Sequence, residues 1–309
     1  MTRFILQRFF SMVIALWVIV TVTFLLMHAI PGGPFTFEKK LPEAILRNIE
    51  ARYHLDWPLW KQYADYMWNL LKWDLGPSFK YEARTVNDII NSGFPISATL
   101  GALSVSLALV IGLPAGIISA LNQNKWQDNA AMFAAIVGVS VPNFILASLL
   151  MYVFALKLGW LPPARWGSPQ QVIMPVIALS GFSTAFIARL MRSSMLEVVQ
   201  QDYIRTARAK GLPQLMVIYR HAVKNAIIPV VTYLGPLIAG VFTGSFIIEH
   251  IFAIPGLGKH YVTSIYNRDY TVILGVTIFY SILLVLMNFL VDVAYVFIDP
   301  RISYVEQRE

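Results

Sequence analysis

The segment Asp202–Pro229, DYIRTARAKGLPQLMVIYRHAVKNAIIP, decides how this chain is read. It is polar and basic, yet it lies between two long apolar runs, and a loop that only joined two membrane helices could be far shorter. Asp202 suits a helix N-cap, where its charge also meets the positive helix end. Gly211 suits the left-handed position after a helix, and Pro213 prevents continuation. Tyr203–Lys210 then forms about two turns, roughly 12 Å long. Thr206, Ala207 and Ala209 are small, and the two alanines keep the helix thin enough for its backbone to approach a groove in a partner. Arg205, Arg208 and Lys210 cannot all be buried. They are expected to meet acidic groups, carbonyls or lipid headgroups. A helix this short is not stable alone in water, so its own protein and whatever it docks into must hold it. The same composition also fits a basic loop with no partner.

Outward from this segment the chain is apolar. Of 309 residues, 57% are hydrophobic and 13% charged, against about a quarter charged in soluble domains. Several runs exceed the roughly 20 apolar residues needed to cross hydrocarbon. Six spans are expected, near Phe9–Ile30, Pro95–Leu121, Ala130–Leu156, Val172–Met191, Ala226–Ile248 and Tyr270–Ile298. The fold class is therefore an all-α polytopic membrane protein. The basic N-terminus followed by an apolar run could be a cleaved signal, but the run is too long and no A-x-A-like site follows; it reads as a retained first span. The net charge of +7 comes from Lys and Arg gathered beside the spans, which fits topology and anionic lipid better than a nucleic-acid partner. Arg3, Arg8, Lys125, Arg192, Arg205, Arg208, Lys210, Arg220, Lys224, Arg301 and Arg308 fall on one side of a six-span arrangement, so both termini are expected in the cytoplasm. No cysteine is present, which excludes disulfides and thiolate metal sites.

The chain divides into an N-terminal tail and first span (1–30), an outer loop (31–94), a five-helix core (95–298) containing a cytoplasmic coupling segment (193–225), and a tail (299–309). The outer loop holds LDWPLWKQYADYMWNLLKWDLG, residues 55–76. Pro58 suits a first helical position, and Trp60, Tyr63, Met67, Leu70 and Leu71 recur at helical spacing. This helix is expected at the membrane surface, as a contact for a soluble partner or as a structural lid. Pro114, Pro142, Pro175, Pro229 and Pro236 punctuate the spans, as in kinked helices lining a path.

DYIRTARAKGLP followed by HAVKNAIIPV resembles the coupling segment of ABC importer permeases, in the dipeptide, oligopeptide and nickel branch. The general family signature is Glu-Ala-Ala, three residues, Gly, nine residues, then Ile-x-Leu-Pro. Aligned on Gly211, Arg205, Thr206 and Ala207 stand at the Glu-Ala-Ala positions, and His221, Ala222, Val223 and Lys224 at the Ile-x-Leu-Pro positions. Those departures are typical of the peptide branch. PGGPF after the first span resembles that branch's Pro-Gly-Asp-Pro, with Gly33 for Asp. LDWPLWKQY, DLGPSF, SVPNFI, GSFIIEHIFAIPGLG and DPRI are also similar, so the resemblance covers nearly the whole chain and points to the B-type subunit. It implies a type I importer fold in a bacterial or archaeal cytoplasmic membrane. It implies a second, homologous permease, two cytoplasmic ABC ATPases that hold ATP and Mg, an extracellular substrate-binding protein, and a peptide substrate. The ATPase-coupling residues would be Asp202, Tyr203, Arg205, Thr206, Ala207, Arg208, Ala209, Lys210, Gly211, Leu212 and Pro213.

Residue patterns agree that ATP chemistry lies elsewhere. There is no G-x-x-x-x-G-K-[ST] phosphate cradle, no G-x-S-x-G elbow and no H-E-x-x-H pair. The chain is read as non-catalytic, with no cofactor or metal of its own. Glu249, at the outer end of span five, could meet a substrate amine or a binding protein, but with Pro255, Gly256 and Gly258 it reads better as an outer gate. Asp292 in span six is expected to be structural, and His28 to be interfacial. The same architecture could carry nickel, glutathione or another small solute. An autonomous channel or proton-coupled carrier is the alternative of a different class; proton coupling usually needs several intramembrane carboxylates.

Overall fold

The computed structural model describes residues 2–29, 54–81, 83–242 and 246–298, with side chains from residue 6 to 291. Among these residues the chain is helical, with one isolated bridge between Pro77 and Thr85. In order the helices are α1 (Thr2–Ala29), α2 (Leu59–Leu71), α3 (Val86–Leu121), α4 (Trp126–Ser140) and α5 (Asn143–Leu150), which widens into a π-helix at Met151–Lys157. Then come α6 (Pro169–Val199), α7 (Asp202–Ala209), α8 (Gln214–Met216), a second π-helix (Val217–Val223) and α9 (Lys224–Ala226). The chain closes with α10 (Ile228–Phe242), α11 (Phe246–Ile251), α12 (Leu257–Asn267) and α13 (Tyr270–Ile298).

Among the described residues five helical stretches are long and apolar enough to cross a membrane, α10 and α11 taken together as one of them, and up to six if the bent pair α4–α5 counts as one. That pair turns through 102°. The cause is local: a residue before proline is driven to extended backbone, and Val141 has φ −88° and ψ 116° ahead of Pro142. The expected third span at Ala130–Leu156 is therefore a broken one. The second span also differs from expectation. Apolarity begins near Pro95, but the helix begins at Val86, because the Thr85 side chain caps the Asp88 N–H and Asp88 returns the bond to the Thr85 N–H. The expected boundary at 94–95 thus falls inside one continuous helix. Likewise α6 runs past Met191 to Val199, so the first residues of the coupling segment 193–225 are a helical extension of the fourth span.

Helix α3 lies closely along α6. A Cβ at Gly112 would come within 2.9 Å of the Thr184 carbonyl, and one at Gly116 within 2.6 Å of the Ala188 carbonyl. Small residues four apart let two backbones approach where lipid gives no hydrophobic drive. Helix α1 stands at the edge, its C-terminal end packing Phe24 and Met27 on Tyr270, Ile273 and Leu274 of α13 while Phe10, Ile14, Trp17 and Leu26 are exposed.

Helix α2 leans on that C-terminal end. Tyr63 shares a 2.7 Å hydrogen bond with Thr21, and His28 contacts Gln62 at 3.1 Å. Pro58 caps α2 from one residue outside it. Residues 31–53 of the outer loop, with PGGPF, lie outside the described residues, as do the tail 299–309 and the Asp292 side chain.

Candidate functional site

Helix α7 is the expected coupling helix, and it has two faces. Ile204 is 0% exposed and Ala207 5%, both seated among Met191 and Met195 of α6 and Val217, Ile218 and Ala222 of the second π-helix. Asp202, Tyr203, Arg205, Thr206, Arg208, Ala209, Lys210 and Gly211 are exposed. Burying an isoleucine side chain stabilises by about 1.5–3 kcal/mol, which helps seat a two-turn helix that could not persist alone. Tyr203 adds a tether: its hydroxyl accepts from Asn225 Nδ2 at 2.8 Å.

Two expectations change here. Ala207 points into its own protein, so its small size serves the seat rather than a partner's groove, while Ala209 does face outward. Asp202 is the first helical residue and not the cap; Gln201, extended at ψ 149°, precedes it and supplies no side-chain cap bond. Asp202 instead lies 3.5 Å from Arg205, an exposed pair of the kind that adds little stability. The C-terminal end is as expected. Gly211 has φ +76°, its N–H bonds the Arg208 carbonyl at 2.9 Å, and Pro213 starts the next turn while Leu212 packs inward.

At the far end of the helices lies a second constellation. Glu249 is 0% exposed. Ser97 Oγ of α3 donates to Glu249 Oε1 at 2.7 Å, and the Lys259 N–H donates to Oε2 at 3.1 Å. Ser97 Oγ in turn accepts from the Leu257 N–H at 2.8 Å. The carboxylate thus satisfies the open N–H groups that begin α12, and its charge suits that positive helix end. Gly256 and Gly258 crowd against it, and a Cβ at Gly256 would sit 2.5 Å from Glu249 Oε2 and 2.6 Å from Ser97 Oγ. Pro255 is exposed at the tip of the turn. Glu249, Gly256 and Gly258 therefore come together as a latch pinning the 252–258 turn to α3, while Pro255 stays outside it. The Phe252 carbonyl also accepts from the Arg165 N–H at 2.8 Å, which ties in the loop before α6. Glu249 is too deeply bonded here to greet a substrate amine or a soluble protein.

Sequence reasoning missed three polar residues. Ser97 was hidden in an apolar run. Asp269 is fully buried and accepts from Ser78 Oγ, the Phe79 N–H, Thr271 Oγ1 and the Val272 N–H, so it caps α13 and fastens the segment at Ser78–Phe79 to it. Asp128 is 2% exposed and paired with Arg192. An Asp just before an apolar span was a legible cap signal for Asp269; nothing local announced the other two. A cavity of about 410 Å³ lies between α5, α6 and α10, lined in part by Asn143, Phe182, Ser183 and Tyr233. Among the described residues no group of three His, Asp or Glu side chains could hold a metal ion.

The helices form a bundle of broken and bent spans carrying a short exposed helix at one end. Residues 112–304 match the family described as binding-protein-dependent transport system inner membrane component, and residues 1–101 match the N-terminal region of such components. The chain belongs to this family of ABC transporter permeases. It is 51% identical over 303 residues to the dipeptide transport system permease protein DppB of Bacillus subtilis, covering 98% of each chain. It is 47% identical over 306 residues to the oligopeptide transport system permease protein OppB of Salmonella typhimurium, covering 98% of this chain and 100% of that one.

Two solved structures share the fold. One is an amino acid ABC transporter crystallised with histidines, with TM-score 0.53, 19% identity, and coverage of 67% of this chain and 92% of that one. The other is the inward-facing MetNI methionine ABC transporter, with TM-score 0.52 and the same identity and coverage. The fold is that of a type I importer permease in a multi-pass membrane protein.

Proposed function

We propose that this chain is one of two non-identical permease halves of an ATP-driven peptide importer. The observation that carries the reading is the two-faced α7. Its inner face is committed to its own protein, and its other face leaves Arg205, Arg208 and Lys210 exposed among the described residues. That is the form of a helix awaiting a docking partner. The partner proposed is a cytoplasmic ABC ATPase, one on each permease, holding the ATP and Mg that this chain lacks residues to cradle. Closure of the ATPases would press on α7 and tip the pore. The chain itself is then non-catalytic, and both termini lie in the cytoplasm with α7. The names of the relatives favour dipeptides or oligopeptides over nickel, glutathione or another small solute.

In this reading the latch of Glu249, Gly256 and Gly258, with Pro255 at the tip of its turn, belongs to the outer gate, where an extracellular binding protein delivers substrate. The test is purification of the chain from its native membrane in mild detergent, followed by mass spectrometry. A second six-span permease and ABC ATPases are expected with it, and the accompanying binding protein would report the substrate class. Recovery of the chain alone, with ATP-independent flux in liposomes, would replace the importer with a self-sufficient channel or carrier.

A further inference from the structure

One buried carboxylate joins three helices at the end of the bundle that carries α7. Asp128, in the first turn of α4, accepts from Arg192 Nε of α6 at 2.7 Å and from Arg192 Nη2 at 2.8 Å. It also accepts from Ser119 Oγ of α3 at 2.5 Å and from the Asn124 N–H at 2.9 Å. Four donors fill the acceptor capacity of one carboxylate. The guanidinium is a fork bound at both prongs, so it fixes orientation as well as distance. Beneath it Gly116 lets α3 touch α6, where a Cβ would lie 3.0 Å from the Arg192 backbone N.

We infer that Asp128 and Arg192 are positioning residues that carry movement of the coupling helix to the broken third span. The inference rests on the importer reading given above. Arg192 sits on the same unbroken helix that runs to Val199 and enters α7 within three residues. Asp128 sits on α4, the first limb of the span broken at Val141–Pro142, and the second limb begins with Asn143 at the central cavity. Displacement of α7 by a docked ATPase therefore reaches α6 directly, and the fork passes it to α4 and α3 as one body. A buried ion pair is a weak source of net stability compared with apolar packing. What the fork adds is a fixed relative rotation of the helices it joins.

The experiment uses the whole transporter in liposomes, with the binding protein that accompanies it and a labelled mixture of short alanine peptides. Peptide moved and ATP hydrolysed are both measured per assembled complex. Asp128→Asn removes the charge, and Arg192→Lys keeps a charge but loses the fork. For each, the ratio of peptide moved to ATP hydrolysed is expected to fall by about tenfold while basal hydrolysis persists. Should Asp128→Asn fail to assemble, Arg192→Lys decides. An unchanged ratio per assembled complex, even with less complex formed, overturns the inference and leaves the pair a structural tie; so does failure of both variants to assemble. A wild-type complex without ATPases or without uptake would instead sink the importer reading.

Discussion

Gly256 is the residue whose substitution the structure constrains most simply. Any Cβ there must displace the Glu249 carboxylate or the Ser97 hydroxyl, since both lie within 2.6 Å of it. Gly256→Ala is expected to destabilise the detergent-solubilised protein by about 1–3 kcal/mol, as overpacking of a tight site does. At Gly240 a Cβ has nothing within 4 Å, so Gly240→Ala should leave the melting temperature near wild type. Equal melting temperatures for both variants would argue that the latch is loose.

His260 supplies a pH dependence. Burial holds its pKa below the ordinary 6.5, with Arg84 and Lys259 adding to the depression. The folded protein then binds a proton less readily than the unfolded chain, so stability rises with pH between the two pKa values. Its contribution is complete above about pH 6.5 and is lost as pH falls through the folded value. The ring also meets Tyr81 edge-on at 6.0 Å. His260→Phe keeps an aromatic ring without the titration, and its melting temperature should drop less than that of wild type between pH 7.5 and 5.5. Parallel curves would remove His260 as the source.

At the scale of elements, α7 separates two roles by face. Arg205 and Arg208 are exposed, and surface changes of this kind usually shift stability by less than about 0.5 kcal/mol. Arg205→Glu with Arg208→Glu is therefore expected to reach the membrane in normal amount yet abolish uptake and recovery of the ATPases in pull-down. Normal uptake by that double variant would show that the basic face does not dock. Ala207→Trp, in contrast, has to unseat the helix from Met191, Met195 and Val217, so it would lower both stability and uptake.

The split between what was legible in the sequence and what was not follows the range of each signal. The ends of α7 were readable because Gly211 and Pro213 act within a turn of themselves. Which alanine faced inward was not, because that depends on helices α6 and the second π-helix closing over it. The helix starting at Val86 was missed because a Thr–Asp cap at Thr85 and Asp88, well upstream of Pro95, outranks the onset of apolarity. The latch was half legible: its glycines and Glu249 were singled out together, whereas Ser97, more than 150 positions away in sequence, entered only through the packing of α3.

At the scale of the whole molecule, the described surface is unfinished. Trp60, Trp68 and Leu71 of α2 and Phe144, Ile145 and Leu149 of α5 are exposed. The cavity between α5, α6 and α10 is open on the side those helices leave uncovered. Lipid can cover an apolar flank, but a half-lined cavity cannot guide a polar solute across. Expressed without other subunits, the chain is expected to give no ATP-dependent uptake, and adding the proposed second permease and ATPases should raise its melting temperature by mass action. Uptake by the chain alone in ATP-free liposomes would contradict this.

Helix α6 has one further property. It is a single 31-residue rod, ~46 Å from end to end, with Ser183 of the cavity near its middle and the α7 seat at its tip. Such a rod acts as a lever. If it turns about its Pro169 end, together with the α3 and α4 fastened to it at Arg192, a ~5° swing would carry the Val199 tip ~4 Å and Ser183 ~2 Å at helical rise. A modest stroke at the end nearest α7 is thereby set against a smaller, more forceful displacement at the middle, the mechanical advantage suited to prying apart a tightly packed passage.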